Sequence, residues 1–226
     1  MASLVSNFLA SFLAPSCPLC DRSGLPFCPD CQRQLQQCQL ANPLAYWRGP
    51  VPQLSWGRYQ GQLKQAIRHL KYQHQPQLAQ PLGHWLGQVW LKHQSRLRLG
   101  RELIVVPIPL HPTRQAERGY NQAQLLAEAF CRTARLPLAP GLQRVENTVA
   151  QYSLSAAARQ QNLMTAFALN PAWVSQGSRS VLLLDDIYTT GATVNSAAIA
   201  LNRQGIRVVG VLTVARAVQV RGGDTA

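Results

Sequence analysis

Hydrophobic positions recur along the chain with two periods, and each predicts a different kind of element. Leu4, Phe8 and Phe12 fall at helical spacing, which predicts a short amphipathic helix docked on the body and ended by Pro15. From Trp56 to about Leu91 the pattern predicts two helices. Tyr59, Leu63, Ile67 and Leu70 line one face of the first, with Lys64, Arg68 and Lys71 elsewhere on it. Gln73 to Pro76 interrupts the pattern, and Leu78, Leu82, Leu86 and Val89 start the second helix. Leu103 to Ile108 is instead a continuous, β-branched run, the form of a strand buried on both faces of a parallel sheet. The loop after it carries Arg114 and Arg118. Gly119 and Asn121 then open a helix with Ala123, Leu126, Ala127 and Phe130 as its apolar stripe. A second strand, Ser180 to Leu184, leads into Asp185 and Asp186, then a threonine-rich turn, then a helix with Val194, Ala197, Ala198 and Leu201 inward. Strand, loop and helix in this order predict an α/β protein with an open, mostly parallel sheet and flanking helices.

Composition narrows the partners. The 226 residues are 46% hydrophobic, enough for one core and a small appendage. Lys and Arg outnumber Asp and Glu by 22 to 9, a formal net charge of +13. The chain is too rich in Leu, Val and Ile to be disordered, so a folded surface carries that excess. It suits polyanions, either nucleic acid or a small polyphosphate; a basic surface kept for solubility is the plainer alternative. No apolar run reaches the roughly 18–20 residues that cross a bilayer. The apolar start has no basic residue ahead of it, so it fails as a secretory signal, and a cytoplasmic protein without a membrane span is expected.

Four of the six cysteines form C-x2-C-x7-C-x2-C: Cys17, Cys20, Cys28 and Cys31. Two such pairs can complete a tetrahedral four-thiolate site and hold a segment too small for its own core. Disulfides or a redox pair are the competing readings, and a reducing compartment disfavours disulfides. A structural Zn2+ is therefore expected in a segment spanning 1–45, with the main domain over 46–226. Cys38 is a spare that could replace one ligand, and Cys131 reads as core. His69, His74, His84 and His93 fit no metal spacing and read as surface or capping residues.

The second strand and its loop carry the densest chemistry. Adjacent carboxylates repel, so a cation or hydroxyls should compensate Asp185 and Asp186. In Thr189, Thr190, Gly191, Ala192 and Thr193, small residues let backbone N–H groups converge on an anion beside a helix N-terminus. Acids on one side and an anion cradle on the other suit a ribose 5-phosphate with Mg2+, a hard cation that prefers oxygen ligands. Neither a P-loop nor a dinucleotide fingerprint is present.

The segment VLLLDDIYTTGAT resembles the phosphoribosyl pyrophosphate loop of type I phosphoribosyltransferases. With the CPLC and CPDC knuckles, YQGQLKQAIRHLKY, VVPIPLHPTRQAERGYNQA and RVENTVAQYSLSAAARQQN, the chain is similar to the ComF family of competence proteins over about residues 15–216. The resemblance implies the type I phosphoribosyltransferase fold plus an N-terminal zinc segment. It implies Asp185 and Asp186 as the catalytic pair, holding ribose hydroxyls and Mg2+, and Thr189 to Thr193 on the 5-phosphate. Arg114 and Arg118 would meet the pyrophosphate, and Arg144, Thr148, Gln151 and Arg159 would belong to a flexible hood. A last strand, Val208 to Val214, would set Arg216 at the site's edge.

The implied function is the handling of imported single-stranded DNA in natural transformation, with competence helicase or recombination proteins as candidate partners. Trp47, Trp56, Tyr59 and Tyr72, near basic residues, are candidate stacking platforms for unpaired bases. The chemical alternative is an active, Mg2+-dependent phosphoribosyltransferase of nucleotide salvage. No aromatic-and-amide cluster follows the last expected strand, which favours sugar-phosphate binding without transfer to a base. An interaction module with a vestigial loop is the third reading.

Overall fold

The computed structural model describes residues 16–22, 26–49, 51–100, 102–145, 166–171, 173 and 180–217. In chain order these form α1 (Pro29–Gln36), β1 (Gln53–Arg58), α2 (Gly61–Tyr72), α3 (Ala79–His93), β2 (Leu103–Pro107), α4 (Pro112–Arg118) and α5 (Gln122–Ala134). They continue with β3 (Leu142–Arg144), β4 (Phe167–Leu169), β5 (Ser180–Tyr188), α6 (Ala192–Asn202) and β6 (Val208–Arg216). The main sheet has the order β1-β6-β5-β2 and is parallel throughout. The short β3 and β4 pair antiparallel as a separate ribbon. The expected class, a parallel sheet with flanking helices and a four-cysteine segment, is the one observed.

The apolar run of β5 is explained by its two buried faces. Leu182 and Leu184 point into the core made with α2, α3 and α5, while Val181 and Leu183 point into the one made with α6 and the β3–β4 ribbon. Each sheet edge is met by one isolated bridge. Gln39 bridges antiparallel to Gly57 on β1, and Leu138 bridges parallel to Val105 on β2.

On the first face, α3 and α5 approach closely through two glycines. A Cβ on Gly83 would lie 2.5 Å from the Leu126 carbonyl oxygen, and one on Gly87 would lie 2.7 Å from the Thr133 Cβ. His84 Nδ1 and Thr133 Oγ1 are hydrogen-bonded across the same seam at 2.9 Å. That histidine thus bridges two helices, whereas a surface or capping role was expected. The four-cysteine segment docks by aromatic stacking, with Phe27 and Trp56 on Trp85 at centroid distances of 5.7 and 5.3 Å.

Three expectations are corrected. Trp56 does not begin a helix but lies in β1, ahead of α2. That strand hides polar side chains, because Ser55 Oγ and Thr213 Oγ1 satisfy each other at 2.7 Å inside the sheet. Arg114 and Arg118 lie on α4, with Pro112 in its first turn and the His111 ring accepting from the Thr113 N–H, and not in an irregular loop. Asp185 and Asp186 lie within β5, which stays paired with β6 as far as Tyr188 and Arg216. The expected N-terminal helix lies outside the described residues.

Candidate functional site

Asp185 and Asp186 are buried near the carboxyl end of β5, 9% and 2% exposed. The Asp186 backbone N–H donates to Asp185 Oδ1 at 2.8 Å. The cation that the pair requires is Lys71, on the last turn of α2, whose Nζ forms an ion pair with Asp186 Oδ2. Burial alone would push both carboxyls up. For Asp186 burial is the largest single influence, but the Lys71 charge and the hydrogen bonds from Asp185 and Lys71 together overcome it and hold the carboxyl below the ordinary range. Asp185 is raised well above its ordinary 3.8 by burial and then by the Asp186 charge. The two acids thus differ in proton affinity.

The strand then turns into α6 through Gly191, which takes φ +84° at the helix N-cap, a conformation that favours glycine. Gly191 offers no capping side chain, and of the first-turn N–H groups, which no helix can satisfy internally, that of Ala192 donates to Thr190 Oγ1 at 3.4 Å. Thr189 and Thr190 are exposed beside them, and Thr193 and Ala192 are half-buried.

From the other side, β2 delivers α4. The Ile108 N–H donates to the Leu184 carbonyl at 2.9 Å, fixing this connection against β5. Asn121 Nδ2 donates to the Ile108 carbonyl at 3.0 Å, while its Oδ1 caps α5 through the Ala123 N–H. Arg114 is exposed. Arg118 hydrogen-bonds Gln122 and lies 5.5 Å from the Tyr72 ring centroid. Arg144, on β3, stacks 5.4 Å from Phe167. Burial, then the Arg114 charge, pushes its guanidinium down, and the Asp185 charge offsets part of this. Arg216 ends β6 between the rings of Tyr46 and Tyr188, at 3.7 and 4.7 Å. Thr148, Gln151 and Arg159 lie outside the described residues.

The structure thus joins Asp185 and Asp186 in one buried pair, and Arg144 senses the charges of both Asp185 and Arg114. It adds two residues that sequence reasoning missed, Lys71 and Tyr120, whose hydroxyl donates to the Leu70 carbonyl at 2.6 Å. The signal for Lys71 was the demand for a cation beside the acids; the pattern could not say which one.

The stacking platforms fare unevenly. Trp56 is 3% exposed and stacked on Trp85, so its face is closed to a base, although the two rings border a cavity of about 270 Å3 with Gln36, Gln39, Gln88 and Lys92. Trp47 lies half-buried against Gly210. Tyr59 is half-buried under Lys64, and Tyr72 is 70% exposed.

The ligand atoms of Cys17, Cys20, Cys28 and Cys31 lie within 4.8 Å of one another. Zn–S bonds of about 2.3 Å in a tetrahedron place sulfurs about 3.8 Å apart, so the four thiols fit such an ion. Cys20 and Cys28 Sγ are 3.4 Å apart, too far for a disulfide, and all six cysteines are free. Cys38 is separate, its thiol directed at the Gln34 and Gln60 carbonyls. Cys131 is core, and burial pushes its thiol up to about 12. Among the described residues, no helix is long and apolar enough to cross a membrane.

Fold and site together define an α/β protein of parallel sheet, with an acid pair and a glycine-and-threonine turn at the carboxyl end of β5 and a four-cysteine segment in front. Competence protein F of Haemophilus influenzae is 33% identical over 197 residues, 86% of each chain. Competence protein ComFC of Bacillus subtilis is 27% identical over 84% of this chain and 72% of its own. DNA utilization protein YhgH of Salmonella typhimurium is 29% identical over 88% of this chain and 89% of its own. The chain belongs to the ComF family. No family model matches it. Among solved structures, the allosteric regulatory enzyme of purine biosynthesis aligns over 62% of this chain and 26% of its own, at 15% identity and a TM-score of 0.36. That likeness is too remote to add to the fold described above.

Proposed function

We propose that this protein handles imported single-stranded DNA in the cytoplasm during natural transformation, and that it binds phosphoribosyl pyrophosphate at the end of β5. The names of its relatives, competence and DNA utilization proteins, support the first part. The second is supported by one observation: a buried acid pair continues directly into a glycine-and-threonine turn at a helix N-terminus, with Arg144 sensing the charge of Asp185. Asp185 and Asp186 would hold ribose hydroxyls and Mg2+, the Thr189–Thr193 backbone the 5-phosphate, and Arg114 and Arg118 the pyrophosphate. Bound Mg2+ would neutralise pyrophosphate oxygens. The four cysteines would hold a structural Zn2+ with no open coordination position.

Calorimetric titration with phosphoribosyl pyrophosphate and Mg2+ tests the site. Heat is expected for the unaltered chain and its loss in Asp185→Asn/Asp186→Asn; a flat trace for the unaltered chain refutes it. Gel shift with a labelled single strand tests the DNA role, with affinity expected to fall steeply as salt rises. No shift at low salt refutes that role.

A second reading is supported by the difference in proton affinity between the two acids, which a transferase site could use. An active Mg2+-dependent phosphoribosyltransferase would release pyrophosphate when given a base; silence across a panel of bases excludes it.

A further inference from the structure

Three consecutive residues at the end of α2 each touch a different part of the candidate site. The Leu70 carbonyl accepts the Tyr120 hydroxyl at 2.6 Å, from the turn that joins α4 to α5. Lys71 Nζ pairs with Asp186 in β5. The Tyr72 ring lies 5.5 Å from the Arg118 guanidinium on α4. The acid-bearing strand and the arginine-bearing helix are thereby fastened to one turn of one helix.

A purely structural role would be an odd use of charge. The Lys71 and Asp186 side chains are only 18% and 3% exposed, so both ions are largely desolvated. Replacing such a pair by apolar residues of similar volume is often neutral or stabilising. What an ion pair adds is direction. Asp186 has two carboxylate oxygens, and holding Oδ2 on Lys71 fixes the plane of the group and the aim of Oδ1. Asp185, anchored through the Asp186 N–H, is fixed with it.

We infer that Lys71 is a positioning residue of the ribose-phosphate site, orienting the Asp185–Asp186 pair and, through Leu70 and Tyr72, setting its register against α4. The inference rests on the ribose-phosphate reading given above. Lys71 acts through Asp186 and need not touch ligand.

The test is a double-mutant cycle on the full chain with Lys71→Met, Asp186→Asn and the combined variant. It is read by titration with phosphoribosyl pyrophosphate plus Mg2+ and by thermal unfolding without ligand. Lys71→Met should weaken binding at least tenfold, Lys71→Arg should recover part of that loss, and the combined variant should bind no worse than Asp186→Asn alone. Without ligand, the combined variant should unfold at a higher temperature than Lys71→Met, because the Asp186 carboxylate is no longer buried without its cation. Should Lys71→Met prove too unstable to titrate, Lys71→Arg and the combined variant still close the comparison. Wild-type affinity in Lys71→Met, or losses that simply add in the combined variant, overturn the inference while leaving the ribose-phosphate reading intact. A flat titration by the unaltered chain overturns both.

Discussion

The Tyr188 hydroxyl sits where a Cβ on Gly191 would have to be, so the residue that precedes the loop closes over the residue that opens α6. With φ +84°, position 191 is doubly restricted, by backbone conformation and by space. Gly191→Ala should therefore cost about 1–2 kcal/mol for the left-handed backbone alone, and more for the collision. Thermal unfolding should show the loss, and Tyr188→Ala in the same chain should recover the collision part only.

Asp185 and Asp186 should respond to substitution in opposite directions. Asp185 is raised, so folding favours its neutral form and its ionisation weakens the fold as pH climbs above the ordinary 3.8. Asp185→Asn removes that penalty. Its unfolding temperature should match the parent in acid and exceed it increasingly as pH rises, while its ligand titration is lost. A lower unfolding temperature at neutral pH would contradict this account.

Asp186 has the reverse sign. Its pKa is depressed, so its contribution is present above 3.8 and is lost as pH falls through the folded value. Asp186→Asn leaves Lys71 without its partner and should cost about 3 kcal/mol at pH 7, the low end for a broken buried pair because Lys71 can reach partly toward solvent. Chemical denaturation at pH 7 measures it.

Metal analysis should find one zinc per chain. Cys17→Ser or Cys31→Ser should abolish it, whereas Cys38→Ser and Cys131→Ser should retain it, since neither thiol belongs to the cluster. A chelator should lower the unfolding temperature, as expected where metal binding supplies the folding energy of a small segment.

Gly83→Ala gives a discriminating test of the α3–α5 seam. In an exposed helix the change would stabilise by up to about 1 kcal/mol. Here the new methyl meets the Leu126 carbonyl, so a loss of about 1–3 kcal/mol is expected in denaturant unfolding.

The strands β2 and β5 were legible in the sequence because burial on both faces demands unbroken apolar runs. The stripe of α5 was legible because Ala123, Leu126, Ala127 and Phe130 keep a strict helical period and are all buried. β1 was not, since Gln53 and Ser55 are polar yet buried, and only the distant Thr213 explains Ser55. The acid pair and the loop were legible as local chemistry. Lys71 was not, because its partner is reached only once α2 packs on the sheet, and one-dimensional spacing does not encode which helix end meets which strand. The same holds for Tyr120.

The stack of Phe27, Trp85 and Trp56 joins the residue beside Cys28 to a helix and a strand of the main body. Closely stacked rings couple their electronic transitions, so the protein carries a built-in optical gauge of how its front segment is seated. Near-ultraviolet circular dichroism and indole emission should therefore respond to metal added to or stripped from the four cysteines of the unlabelled chain.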